Sequence, residues 1–143
     1  MIQRIQSIFL LLAAAAIFGL FGLPFASTNE PVAASPLFAD QKYNILDHTA
    51  LLGLFVLAGL LCFLAIFLFK QRKWQMRLSI GAILGTLAGL AVTGVFFSQD
   101  SAAASASIGI GIGLPVIAII FVMLAYQYIK KDEALVKSMD RLR

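Results

Sequence analysis

The chain has 143 residues, 61% of them hydrophobic and 13% charged, with a formal net charge of +4. Soluble domains are nearer to half apolar and a quarter charged, so this chain has too little polar surface to cover a water-soluble fold. Its basic residues sit at the ends of apolar runs and not along one face, which excludes nucleic acid as a partner.

Ten of the eleven Lys and Arg residues fall in three clusters, and only Lys42 lies elsewhere. Arg4 precedes the first apolar run. Lys70, Arg72, Lys73 and Arg77 separate the second from the third. Lys130, Lys131, Lys137, Arg141 and Arg143 follow the fourth. The runs cover residues 5–25, 49–69, 78–97 and 108–129, and none carries a charged residue or His in its interior. At about 1.5 Å per residue, about 20 helical residues span the roughly 30 Å of a bilayer's hydrocarbon. The expected fold is therefore all-α: an integral membrane four-helix bundle with a helical extension at its C-terminus. The lipid bilayer is its solvent. Basic residues concentrate on the cytoplasmic side of membrane proteins, which predicts both termini inside (N-in/C-in).

In chain order, the first run has the charge and length pattern of a signal peptide, ending at Pro24-Phe25-Ala26-Ser27. It is read as a retained anchor, because removing it leaves three spans and a less consistent charge pattern. Residues 26–48 form the longer outer loop, broken by Pro31 and Pro36. Leu37, Phe38, Tyr43, Ile45 and Leu46 are too apolar for a free loop and are expected on the membrane surface or the helix ends. The inner loop 70–77 is short, so the second and third spans are expected to be antiparallel neighbours, with Trp74 as an interfacial anchor.

The third span carries Gly81, Gly85 and Gly89 at intervals of four. Such a stripe lets two backbones approach and gain dispersion contacts that lipid cannot replace. Spacing does not say whether the partner helix belongs to the same chain. The fourth span opens Gly109-Ile110-Gly111-Ile112-Gly113-Leu114-Pro115. Gly109 and Gly113 are read as helix-packing positions. Pro115 is expected to kink the helix, because it cannot donate to the carbonyl of Gly111. A broken helix lining a substrate site is the functional version of that reading, and a bend that lets helices pack is the structural one.

Chemistry is sparse. Asp47-His48 is the candidate polar site, and a metal or proton role there would need Asp40 or Glu30 to converge on it. Otherwise Asp47 is a helix-end carboxylate suited to the dipole. Cys62, the single cysteine, lies in an apolar run and reads as a packing residue. Charged residues within spans mark pumps and ion paths, and their absence here argues against a proton-coupled pump acting alone. No sequence motif for a nucleophile, a phosphate loop, a zinc protease or a haem ligand pair is present, and no cofactor is expected. In the tail, residues 130–143, Leu135, Met139 and Leu142 share one helix face, a candidate partner face, and Glu133 and Lys137 form an i,i+4 pair.

The opening Met1-Ile2-Gln3-Arg4-Ile5-Gln6, the loop Lys70-Gln71-Arg72-Lys73 and the ending Ile129-Lys130-Lys131-Asp132-Glu133 through Leu135-Val136-Lys137-Ser138 to Asp140-Arg141-Leu142-Arg143 carry a resemblance. Over its whole length the chain resembles a family of small four-helix inner-membrane proteins of Bacteroidota, classed as a domain of unknown function. The resemblance implies a bacterial inner membrane and supplies no activity, cofactor or catalytic residue. The expected function is that of a non-catalytic accessory or structural subunit that packs against other membrane protein subunits. The alternative is binding or transport of a small neutral or lipidic ligand, as an oligomer, through an outer cavity near residues 109–115.

Overall fold

The computed structural model describes residues 2–140, with side chains from Ile5 to Met139. Leu142, Arg141 and Arg143, and the side chain of Arg4, lie outside that range. Among the described residues four α-helices form: α1 (Ile2–Phe18), α2 (Thr49–Phe67), α3 (Arg72–Gln99) and α4 (Gly113–Asp140). α1 runs into a 3-10 turn at Gly19–Phe21 and stops there. Pro24, three residues on, cannot continue a helix, and it disfavours helical backbone at Leu23. A tight turn joins α2 to α3, held by the Gln71 N–H donating to Leu68 C=O at 2.8 Å.

α1 packs on α2 and α4, and α3 packs on the same two helices, which makes a closed ring of four. The glycine stripe shows how α2 and α3 run. A Cβ on Gly81 would meet Leu61 at 3.3 Å, one on Gly85 would meet Ala58 at 3.4 Å, and one on Gly89 would meet the Phe55 ring at 2.7 Å. Rising numbers on α3 meet falling numbers on α2, so the pair is antiparallel. The stripe thus contacts a helix of its own chain.

The most buried positions of α3 are not the glycines alone. Gln75, Ser79, Ala82, Thr86, Gly89 and Thr93 are buried at alternating spacings close to the coiled-coil repeat. Ser79, Thr86 and Thr93 donate to the carbonyls of Gln75, Ala82 and Gly89 at 2.8–2.9 Å, so each hydroxyl is satisfied inside its own helix. Small residues line the centre: Ala13 and Ala14 of α1, Ala58 and Cys62 of α2, Ala82 of α3 and Ala118 of α4. Large apolar side chains point outward, as with Leu57 at 54% and Leu84 at 61% exposure. Small inside and large outside suits helices that gain by close backbone approach in lipid.

α2, α3 and the stretch Ile110–Met139 are long and apolar enough to cross a membrane. The first apolar helix, Ile5–Phe21, is shorter. α3 and α4 have 28 residues each, or about 42 Å at about 1.5 Å per residue, and so exceed the roughly 30 Å hydrocarbon layer.

The fold departs from an all-α bundle at one end. β1 (Ala26–Ser27) lies between β2 (Lys42–Tyr43) and β3 (Ser107–Ile108), antiparallel to both. Ala26 stands opposite Tyr43 on one side and Ile108 on the other. This sheet gathers the segment after α1, the segment before α2 and the segment before α4 at a single end, here called the capped end. The turn 68–71 and the C-terminal part of α4 lie at the opposite, basic end.

Candidate functional site

The capped end is built from loop 26–48, which is not a surface flap. Leu37, Phe38, Tyr43 and Ile45 are buried, and Leu46 alone of that group is exposed. Tyr43 is the hub. Its ring lies 5.4 Å from that of Phe25 and 6.3 Å from that of Phe38, and its hydroxyl donates to the Thr93 carbonyl of α3 at 3.2 Å. Burial pushes the Tyr43 phenol up to about 12.

A second link ties the loop to the end of α3. The Ser35 hydroxyl donates to the Asp100 carboxylate, 2.8 Å from Oδ1 and 2.7 Å from Oδ2, and its oxygen accepts from the Phe38 N–H at 3.0 Å. Burial would raise the Asp100 pKa. The Ala102 N–H, the Ser35 hydroxyl and the Leu37 N–H outweigh that and hold it below the usual carboxylate value. A depressed carboxylate contributes stability that is complete above the unfolded value, near pH 4, and is lost as pH falls through the native one. Ser35→Ala is expected to cost about 2 kcal/mol. It should also flatten the acid limb of stability, measured as thermal unfolding in detergent from pH 7 to pH 3.

Gly109 and Gly111 do something other than pack helices. The Gly109 N–H donates to Phe25 C=O at 2.8 Å, and the Gly111 N–H donates to Pro24 C=O at 3.1 Å. A Cβ on either would fall 2.4–2.5 Å from the Pro24 carbonyl oxygen. They are glycines because a backbone passes over them. Gly113 faces open space and is the first residue of α4. The kink expected at Pro115 is corrected for the same reason. Residues 110–112 form a separate 3-10 turn, α4 starts after it, and Pro115 lies in the first helical turn, where a missing N–H breaks no helical bond. In the sequence, Gly111 stands only as part of the glycine-rich stretch before Pro115, and its contact with Pro24 has no signal there.

Asp47 and His48 have different partners. Asp47 accepts the Asn44 N–H at 2.6 Å in a local turn, and burial raises its carboxyl above the usual value against that hydrogen bond. His48 caps α2 in extended conformation, and its ring stacks on Phe96 of α3 at 3.9 Å. Asp40 accepts from the Lys42 N–H in another turn. His48 shares with Asp100, Gln99 and Ser101 an open groove of about 330 Å³. Among the described residues no three His, Cys, Asp or Glu side chains are placed to hold a metal ion.

Beneath the sheet lies a smaller apolar cavity of about 150 Å³, walled by Phe25, Tyr43, Thr93, Phe97, Ile108 and Ile112. It sits between α3 and the stretch leading into α4. At the basic end, Arg72 Nε pairs with Asp132 at 2.7 Å, which joins α3 to α4. α4 continues unbroken to Asp140, with Lys137 and Glu133 paired at 3.1 Å. On this extension Leu135 is 53% and Met139 65% exposed. Gln6 and Gln75 are buried near the same end, and their side-chain amide nitrogens have no hydrogen-bond partner among the described residues.

A helical bundle with apolar helices long enough to cross a membrane, closed at one end by a small sheet and carrying cations at the other, defines the class. The chain belongs to the family Domain of unknown function (DUF4293), which matches residues 2–142. No curated protein and no solved structure matches it.

Proposed function

We propose that this chain is a multi-pass protein of a bacterial inner membrane, with both termini cytoplasmic, that serves as a non-catalytic accessory or structural subunit of a larger complex. The observation that carries this reading is the α4 extension. It leaves the bundle with Leu135 and Met139 exposed on one side while Glu133 and Lys137 pair with each other. A helix face of that kind is stable when it lies against a partner. The basic clusters at the same end support the orientation.

Gentle extraction from native membranes should recover co-migrating proteins. Leu135→Ser/Met139→Ser should reduce that recovery at least about tenfold, on the order of 1.4 kcal/mol, with the bundle still folded. Recovery of the unaltered chain only as a free monomer, in repeated mild preparations, would sink the idea. The apolar cavity beneath the sheet favours a second reading, a small neutral or lipidic ligand held between α3 and the segment before α4. A stoichiometric neutral lipid in the same preparation would move the balance to it.

A further inference from the structure

At the basic end, the turn 68–71 and the first two turns of α3 face the α4 extension across a cleft of about 470 Å³. This lies within the roughly 300–1,000 Å³ typical of ligand sites. Lys70, Arg72, Lys73, Arg77 and Lys137 line it, against one lining carboxylate, Glu133. Two of these cations are already matched, Arg72 by Asp132 and Lys137 by Glu133. Lys70, Lys73 and Arg77 have no carboxylate partner among the described residues.

Aromatic rings hold two of the three. The Arg77 guanidinium lies 5.1 Å from the Trp74 ring centroid, and the Lys70 ammonium lies 5.9 Å from that of Phe69. Ring faces hold a cation without neutralising it, so its N–H donors stay available. Trp74 is 53% exposed, and half-exposed Trp at the end of an apolar helix marks headgroup depth in a bilayer. The cleft also contains the N-terminal turn of α3, whose helix dipole adds partial positive charge. The charge, depth and shape all suit one kind of ligand.

We infer that this cleft binds the phosphodiester headgroup of an anionic phospholipid from the leaflet at the basic end, with Lys70, Lys73 and Arg77 as the unmatched cations that face it. The inference rests on the membrane reading above and adds a specific ligand to it. The chemistry it uses, a phosphate oxygen met by Lys and Arg donors, is shared by free phosphate, and the test must separate the two.

The full-length chain in nanodiscs is presented with phosphatidylglycerol, with phosphatidylcholine, or with inorganic phosphate alone, and retention is read by native mass spectrometry. Phosphatidylglycerol should be retained at least about tenfold over phosphatidylcholine. On the order of fivefold per surface charge, Lys73→Gln/Arg77→Gln should weaken it about 25-fold. Lys130→Gln/Lys131→Gln removes the same charge at the same end but outside this cleft, and should cost far less. The charge-conserving pair Lys73→Arg/Arg77→Lys should keep binding, which separates lost charge from lost folding. Equal losses in the two Gln pairs, or no headgroup preference, would overturn the cleft as a site. Inorganic phosphate binding as well as the lipid would overturn the lipid as its source. A chain that stays in the bilayer without headgroup preference loses only this inference, whereas one that does not stay there loses the membrane reading itself.

Discussion

Gly111→Ala is expected to lower the midpoint of thermal unfolding by about 10 °C. The added methyl would sit 2.4 Å from the Pro24 carbonyl oxygen and 2.6 Å from that of Leu23. Both are backbone atoms, and a backbone cannot step aside as a side-chain tip can. Relief requires the 3-10 turn at residues 110–112 to lift off the Leu23–Pro24 segment, which breaks the hydrogen bond from Gly111 to Pro24. Overpacking of this kind costs about 1–3 kcal/mol and more where nothing yields. About 3 kcal/mol corresponds to the stated shift for a domain of this size. Gly113→Ala is the control. Its methyl meets nothing within 4 Å, and it lies in the first turn of α4, where Ala favours helix. It should leave the midpoint unchanged or raise it slightly. Equal losses at the two positions would show that glycine content, and not the close approach at Pro24, is what matters.

Tyr43→Ala is expected to cost about 4 kcal/mol, in the range for truncating a buried aromatic ring. The ring is fully buried between Phe25 and Phe38. It also forms one wall of the 150 Å³ cavity, so truncation enlarges an existing void. Larger voids leave more lining atoms without contacts. Tyr43→Phe keeps the ring and removes only the hydroxyl bonded to Thr93, for about 1 kcal/mol. Chemical or thermal unfolding of the two variants in the same detergent checks the difference. Similar losses would place the importance of Tyr43 in its hydrogen bond and not in its ring.

The helices were legible in the sequence because about 20 apolar residues bounded by charge have few alternatives. Their ends were not. The third expected span began at residue 78, but α3 starts at Arg72, because its first turns carry the charged Arg72, Lys73 and Arg77 and the polar Gln75. Hydropathy marks only the apolar part of a helix and does not register polar turns that continue it. The fourth was expected from residue 108, but α4 waits until Gly113, because Gly109 and Gly111 serve the contact with Pro24. The sheet left no signal at all. Strands of two residues have no alternation to detect, and the partners of Ala26 stand 17 and 82 positions away by number, at Tyr43 and Ile108. The apolar character of Leu37, Phe38, Tyr43 and Ile45 did signal that loop 26–48 is packed, but not against what. The Glu133–Lys137 pair was legible from spacing, whereas Arg72–Asp132 joins residues 60 apart and was not.

The sheet also constrains how the chain is made. β1 emerges early in synthesis and β3 late, and a contact between such distant segments forms slowly because its loop must close first. Ala26 has no antiparallel neighbour at Ile108 until the first three helices are laid down in their proper directions. β3 is thus expected to join the sheet only after α1, α2 and α3 have brought their ends together, which makes this cap one of the last parts of the fold to close.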